Sequence, residues 1–152
     1  MANQFLTKKV VKATFDTAGV DSANAANTTV ASHGTGVYIP SGAIVTNVFY
    51  RVRTTFADGV SDAATIALTL QSAGDLKAAI AISAAGDVWD AGVRACLPSH
   101  YALDGNALTA IAMAAAEAAS LILTTAQREI TVTVGGVALT AGAMDIYVEY
   151  VS

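Results

Sequence analysis

The chain is poor in cysteine, proline, histidine and charge. Its single cysteine, Cys96, rules out a disulfide framework and a cysteine zinc site, so stability has to come from packing. The two histidines, His33 and His100, leave little material for a nucleophile–base pair. Ser99 and Cys96 lie close to His100 in sequence, but the members of a catalytic set normally converge from separate elements, and His100 reads as a loop residue. Charged residues make up 13% of the chain, against about 25% in an ordinary soluble domain. Few solvated charges therefore keep copies apart, which favours self-assembly or permanent docking. No strongly apolar run of membrane-spanning length exists either. The longest candidate, 107–123, is carried by alanine and interrupted by Glu117. Met1 to Thr7 show neither a basic nor an apolar leader segment, so no signal peptide and a cytoplasmic origin are expected.

What charge there is sums to −4, from 8 Lys plus Arg against 12 Asp plus Glu. The one basic group is Lys8, Lys9 and Lys12, too small for a nucleic-acid footprint, and read as solvated lysines guarding a strand. At 152 residues the chain matches one domain with one core. The expected division is an N-terminal arm with a first strand over 1–27, followed by a β-sandwich over 28–152.

Period-two alternation is the main signal. Between Ile44 and Phe56 the even positions Ile44, Thr46, Val48, Tyr50, Val52, Thr54 and Phe56 are mostly apolar. The odd positions Val45, Asn47, Phe49, Arg51, Arg53 and Thr55 are mixed, the pattern of a half-buried antiparallel strand. Pro40-Ser41-Gly42 and Ala57-Asp58-Gly59 bound it as turns. Ile130, Val132 and Val134 form a second alternating run, ending at Gly135-Gly136, a pair that predicts a hairpin into Val137–Thr140. Met144, Ile146, Val148 and Tyr150 share one face of the last strand, with Asp145, Tyr147 and Glu149 on the other. Two short runs, each ending in Ala-Gly-Asp at 73–75 and 85–87, add the strand spacing of a sandwich or barrel. The predicted fold is all-β: an antiparallel, jelly-roll-like β-sandwich with at most short helical segments. Its predicted core includes Val48, Tyr50, Val52, Val132, Val134, Ile146 and Val148. Asp87 to Gly92 fit a helical turn, and 106–120 a short helix or irregular loop.

Candidate chemistry is sparse. Asp58 with Asp62, and Asp87 with Asp90, lack the alternating oxygen donors of a calcium loop and read as turn formers, with a surface cation as the alternative. Gly34-Thr35-Gly36 and Gly135-Gly136 have no following lysine and are not phosphate loops. Trp89 reads as a core plug, with an interface anchor as the alternative. Arg51 and Arg53 read as solvated, or as salt-bridge donors to a partner meeting that strand face. No catalytic residue, metal site or cofactor is predicted, and the chain is expected not to be an enzyme.

Four segments together resemble small β-sandwich structural proteins of tailed-phage virions, of the capsid decoration (cement) or head-fibre type. They are Gly36-Val37-Tyr38-Ile39-Pro40-Ser41-Gly42-Ala43-Ile44-Val45-Thr46, Asp62 to Leu68, Ala81 to Trp89, and Leu139-Thr140-Ala141-Gly142 leading to Tyr147-Val148-Glu149-Tyr150. The resemblance implies a jelly-roll-like sandwich, often trimeric, seated on the outer surface of the capsid and bracing the major capsid protein. The 107–120 segment departs from it. The expected function is a capsid decoration protein of a phage head, or alternatively a receptor- or glycan-binding module of a head or tail fibre, in which Tyr101 would matter. The expected partners are a homotrimer and the major capsid protein, with no direct nucleic acid and no membrane. Trimer contacts are expected on apolar and uncharged surface, with a free Lys8–Lys12 arm. The assembly-contact candidates are Lys8, Lys9, Lys12, Phe49, Arg51 and Arg53.

Overall fold

A computed structural model describes residues 6–19, 28–84, 86, 88–97, 101–104, 107–110 and 121–152. Every regular element among them is a strand: β1 (Lys8–Asp16), β2 (Ser32–Ile39), β3 (Ile44–Asp58), β4 (Thr65–Thr69), β5 (Lys77–Ala81), β6 (Gly92–Leu97), β7 (Tyr101–Asp104), β8 (Ala107–Ala110), β9 (Ile122–Leu123), β10 (Arg128–Gly135) and β11 (Leu139–Val151). A first sheet runs β1-β11-β3-β6, with β9 also on β3, and a second runs β2-β10-β4-β5; all their pairings are antiparallel. The two sheets pack face to face, so the chain is an antiparallel β-sandwich, as the alternation predicts.

The inner faces hold the core. Val48, Tyr50, Val52, Val132, Val134, Ile146 and Val148 are each at most 2% exposed, so all seven predicted core positions are buried. Burying such a side chain contributes roughly 1.5–3 kcal/mol apiece. Trp89 closes one side of the core. Its Nε1 donates to the Ile80 carbonyl at 3.1 Å, and its ring meets Tyr50 at 5.3 Å and Phe56 at 6.1 Å. It is 1% exposed, which makes it a core plug and removes the interface-anchor alternative.

Several local expectations are corrected. Gly135-Gly136 turns no hairpin: β10 belongs to the second sheet and β11 to the first, so the pair carries the chain from one sheet to the other. Gly136 has φ +75°, and a Cβ there would press on the Ala63 carbonyl at 2.7 Å. The parity of β3 also breaks. Between Asn47 and Val45 the register with β11 shifts, and Val45, not Ile44 or Thr46, enters the core. Gly92 does not stop a helical turn but opens β6, and residues 107–110 form a strand instead of a helix or loop. The Asp87 cap, the 21–27 segment, His100 and 111–120 lie outside the described residues. Lys8 to Lys12 are no free arm; they pair residue by residue with β11, from Lys8 opposite Val151 to Lys12 opposite Tyr147.

Candidate assembly face

The strands that bury apolar residues on one side of the first sheet present a different set on the other. Phe49, Arg51 and Arg53 of β3 alternate with buried Val48, Tyr50 and Val52, so they point away from the core. Asp145, Tyr147 and Glu149 of β11 do the same between Met144, Ile146, Val148 and Tyr150. β1 adds Lys8, Val10, Lys12 and Thr14, and β6 adds Val93 and Ala95 opposite Arg51 and Phe49.

At the centre, Phe49 and Tyr147 sit directly opposite each other on neighbouring strands, and their rings stack with centroids 4.8 Å apart and planes 9° from parallel. Such a cross-strand aromatic pair contributes about 0.5–1.5 kcal/mol beyond its buried area. Beside it lies Asp145, only 4% exposed. A nearly buried carboxylate needs partners, and it has three: it accepts from Thr14 Oγ1 at 3.1 Å and pairs with Lys12 at 3.2 Å and Arg53 at 3.4 Å. Glu149 accepts from Lys8 at 2.8 Å and from Asn47 Nδ2 at 3.4 Å, and the lysine contact holds its carboxyl below the ordinary range. Arg51 is exposed on this face, as are Val10 and Val93.

Five of the six assembly-contact candidates, Lys8, Lys12, Phe49, Arg51 and Arg53, are thus gathered on one surface. Lys9 is not; it has the opposite parity, donates to Ser152 Oγ at 2.9 Å and lies 6.0 Å from the centre of the Tyr150 ring. Arg53 is engaged within its own chain by Asp145. The sequence reading did not include Asp145, Tyr147 and Glu149, although their shared parity on the last strand was visible. What it lacked was that β11 lies beside β3. The face holds four of the chain's eight cations and, with Asp16 at the end of β1, three of its twelve acids, so it is net positive on a net negative protein.

Among the described residues, others singled out by sequence sit in structural contacts. Burial pushes the Cys96 thiol up to about 12, which favours the protonated form at neutral pH. His33 Nε2 lies 2.8 Å from the Thr29 carbonyl, with its ring 5.9 Å from Phe15. Asp58 accepts from the backbone N–H groups of Val60, Asp62 and Ala64, bonds that depress its pKa and fix a loop in which Ser61 and Asp62 both have positive φ. That is the turn-forming role. Lys77 is drawn inward to lie 5.6 Å from the Trp89 ring centre and 5.7 Å from that of Tyr50, and burial lowers its pKa.

No protein-family model and no curated protein matches the chain. In fold it is similar to a chain of the cyanophage Pam1 capsid asymmetric unit, with 17% identity and a TM-score of 0.56 over 99% of this chain and 89% of that one. It is also similar to a chain of the acidic stable capsid structure of Helicobacter pylori bacteriophage KHP30, with 11% identity and a TM-score of 0.55 over 95% of this chain and 87% of that one.

Proposed function

We propose that this protein is a non-enzymatic structural component of a phage virion, a jelly-roll capsid decoration protein that assembles as a homotrimer on the outer surface of the head and braces the major capsid protein. The observation that carries the reading is the near-complete coverage of its fold by chains from two phage capsid structures. The connections support it: from β1 to β4, and again from β5 to β6 and β10 to β11, the chain crosses between the sheets, as in a jelly roll. The outer face of the first sheet supplies the contact surface, with Lys8, Lys12, Phe49, Arg51 and Arg53 as its contact residues. Several such contacts per trimer hold by avidity even where each is weak. The alternative, a glycan-binding fibre module, fits this face less well, because a sugar stacks on an open ring face and Phe49 and Tyr147 each give one face to the other.

The test is to purify particles with and without the protein, image them, and heat both. Density on the outside of the shell and genome release at a lower temperature from particles lacking the protein are expected. Particles from which the protein is absent, with unchanged heat resistance, would sink the reading.

A further inference from the structure

Two connections meet at one end of the sandwich, beside the end of β3. Residues 59–64 lead from β3 to β4, and residues 88–91 lead into β6. The second lies against the last turn of β3: the Phe56 N–H donates to the Trp89 carbonyl at 3.1 Å, and the Ala91 N–H to Thr55 Oγ1 at 3.2 Å. Neither connection contains a lysine or arginine, and they bring the exposed Asp62 and Asp90 to this end beside Asp58. Val60, between Asp58 and Asp62, is 60% exposed. The loop that carries it is held in shape, because the Asp58 carboxylate accepts from the N–H groups of Val60, Asp62 and Ala64 at 2.8, 3.0 and 2.7 Å. A loop already fixed in one conformation loses little freedom when it docks. The outer face of the first sheet has the complementary character. Arg51 is exposed there and its guanidinium has no partner among the described residues; the same holds for the Asp62 carboxylate. Val93, directly opposite Arg51 on β6, is 63% exposed, and the stacked Phe49–Tyr147 pair lies beside them. One surface thus offers an available cation next to apolar side chains, and the other an available anion two residues from an apolar one.

We infer that the 58–64 loop of one copy docks on the outer face of the first sheet of a second copy, with Asp62 on Arg51 and Val60 against Val93 and the aromatic pair. The inference rests on the assembly reading above and names the occupant of that face. Opposite charge sets the orientation, and burial of the apolar side chains adds affinity. Because loop and face are different surfaces, the contact is head-to-tail, and a closed ring of copies satisfies every loop and every face.

Exchange of the two charges tests this, read as self-association by light scattering. Arg51→Glu and Asp62→Lys each set like charges against one another and are each expected to weaken association about tenfold or more. The chain carrying both substitutions restores an opposite pair and is expected to return to within about threefold of the parent. Asp62→Asn guards against a loop that fails to form. It removes the charge while keeping a residue type that tolerates the φ of +58° at this position, and an intermediate loss is expected. A double variant no tighter than the weaker single would overturn the inference. So would parental association of Asp62→Asn, or a parent chain that stays monomeric at every concentration reached. Particle binding separates the two proposals. A monomer that still decorates particles overturns the inference and keeps the virion role. A charge-exchanged chain that assembles like the parent, where neither binds particles, keeps the inference and overturns that role.

Discussion

The two outer faces of the sandwich cover one core and differ in nearly everything else. The first sheet turns outward Lys8, Lys12, Arg51, Arg53, Asp145 and Glu149 around a stacked Phe49 and Tyr147. The second turns outward Ser32, Gly34 and Tyr38 of β2, Glu129, Thr131 and Thr133 of β10, and Thr65, Ala67 and Thr69 of β4. The one charge among these outward residues, Glu129, is occupied by accepting from the Gly36 N–H at 2.7 Å, and the hydroxyls bond across the strands, Thr133 to Ser32 and Thr131 to the Thr69 carbonyl. Threonine ladders of this kind suffice for a solvated sheet face. The fold therefore does not require the charges and the stacked aromatic pair on the other side, which makes that face the candidate for recognition.

The comparison presumes a shared core, and the largest effect lies there. Val132→Asp places an unpaired carboxylate at a fully buried position between the sheets. That costs several kcal/mol, on the order of the whole stability, and is expected to abolish folding. A soluble mutant melting like the parent would show that the inner face is misassigned. Next comes Asp145→Asn, which removes the charge that Lys12 and Arg53 share. A loss of about 1–3 kcal/mol is expected, a fall in Tm of roughly 3–10 °C, read by thermal denaturation. An unchanged Tm would make the charges of the first face decorative.

Smaller in stability but sharper in meaning is a matched pair of exposed substitutions. Arg51→Glu on the first face is expected to leave Tm within about 2 °C of the parent, the norm for surface changes, while weakening self-association. Thr133→Glu on the second face is expected to change neither. Equal loss of assembly from both would erase the distinction between the faces. The smallest effect is electrostatic. Glu149 has a folded-state pKa depressed by Lys8, so the stability it contributes is present above its ordinary pKa of about 4.3 and is lost as pH falls through the folded value. The Tm difference between parent and Lys8→Ala should therefore be seen at neutral pH and shrink to nothing on acidification. A difference that persists at pH 2 would assign the contribution of Lys8 to packing.

Much of this was legible from local pattern. Alternation at Ile44–Phe56, Ile130–Val134 and Met144–Tyr150 identified strands and buried faces, because side-chain direction in a strand follows from residue parity alone. It failed where parity is reset. The bulge near Thr46 puts Val45 in the core, and that depends on how β11 bends against β3, a partner about a hundred residues away. Gly135-Gly136 showed a reversal of backbone direction but not the sheet it leads to, since a positive φ serves a hairpin and a crossing equally. The candidate face was half visible: Phe49, Arg51 and Arg53 share a strand, while Tyr147 and Asp145 complete it only through the pairing of distant strands. Strand adjacency is the non-local fact that no window of sequence contains.

That non-locality has a consequence for how the chain is made. Among the described strands, β1 has one neighbour in its sheet, β11, which is made long after it; Thr7 and Ser152 exchange backbone hydrogen bonds at 3.2 and 3.4 Å. A partial product that stops short of β11 cannot pair β1, so β1 gains its strand partner only once β11 has been made. Folding is then a single late event governed by contacts of long sequence separation, in the slow range for proteins of this size. Lysines on an unpaired strand disfavour edge-to-edge pairing with other chains, and β1 carries three of them, Lys8, Lys9 and Lys12.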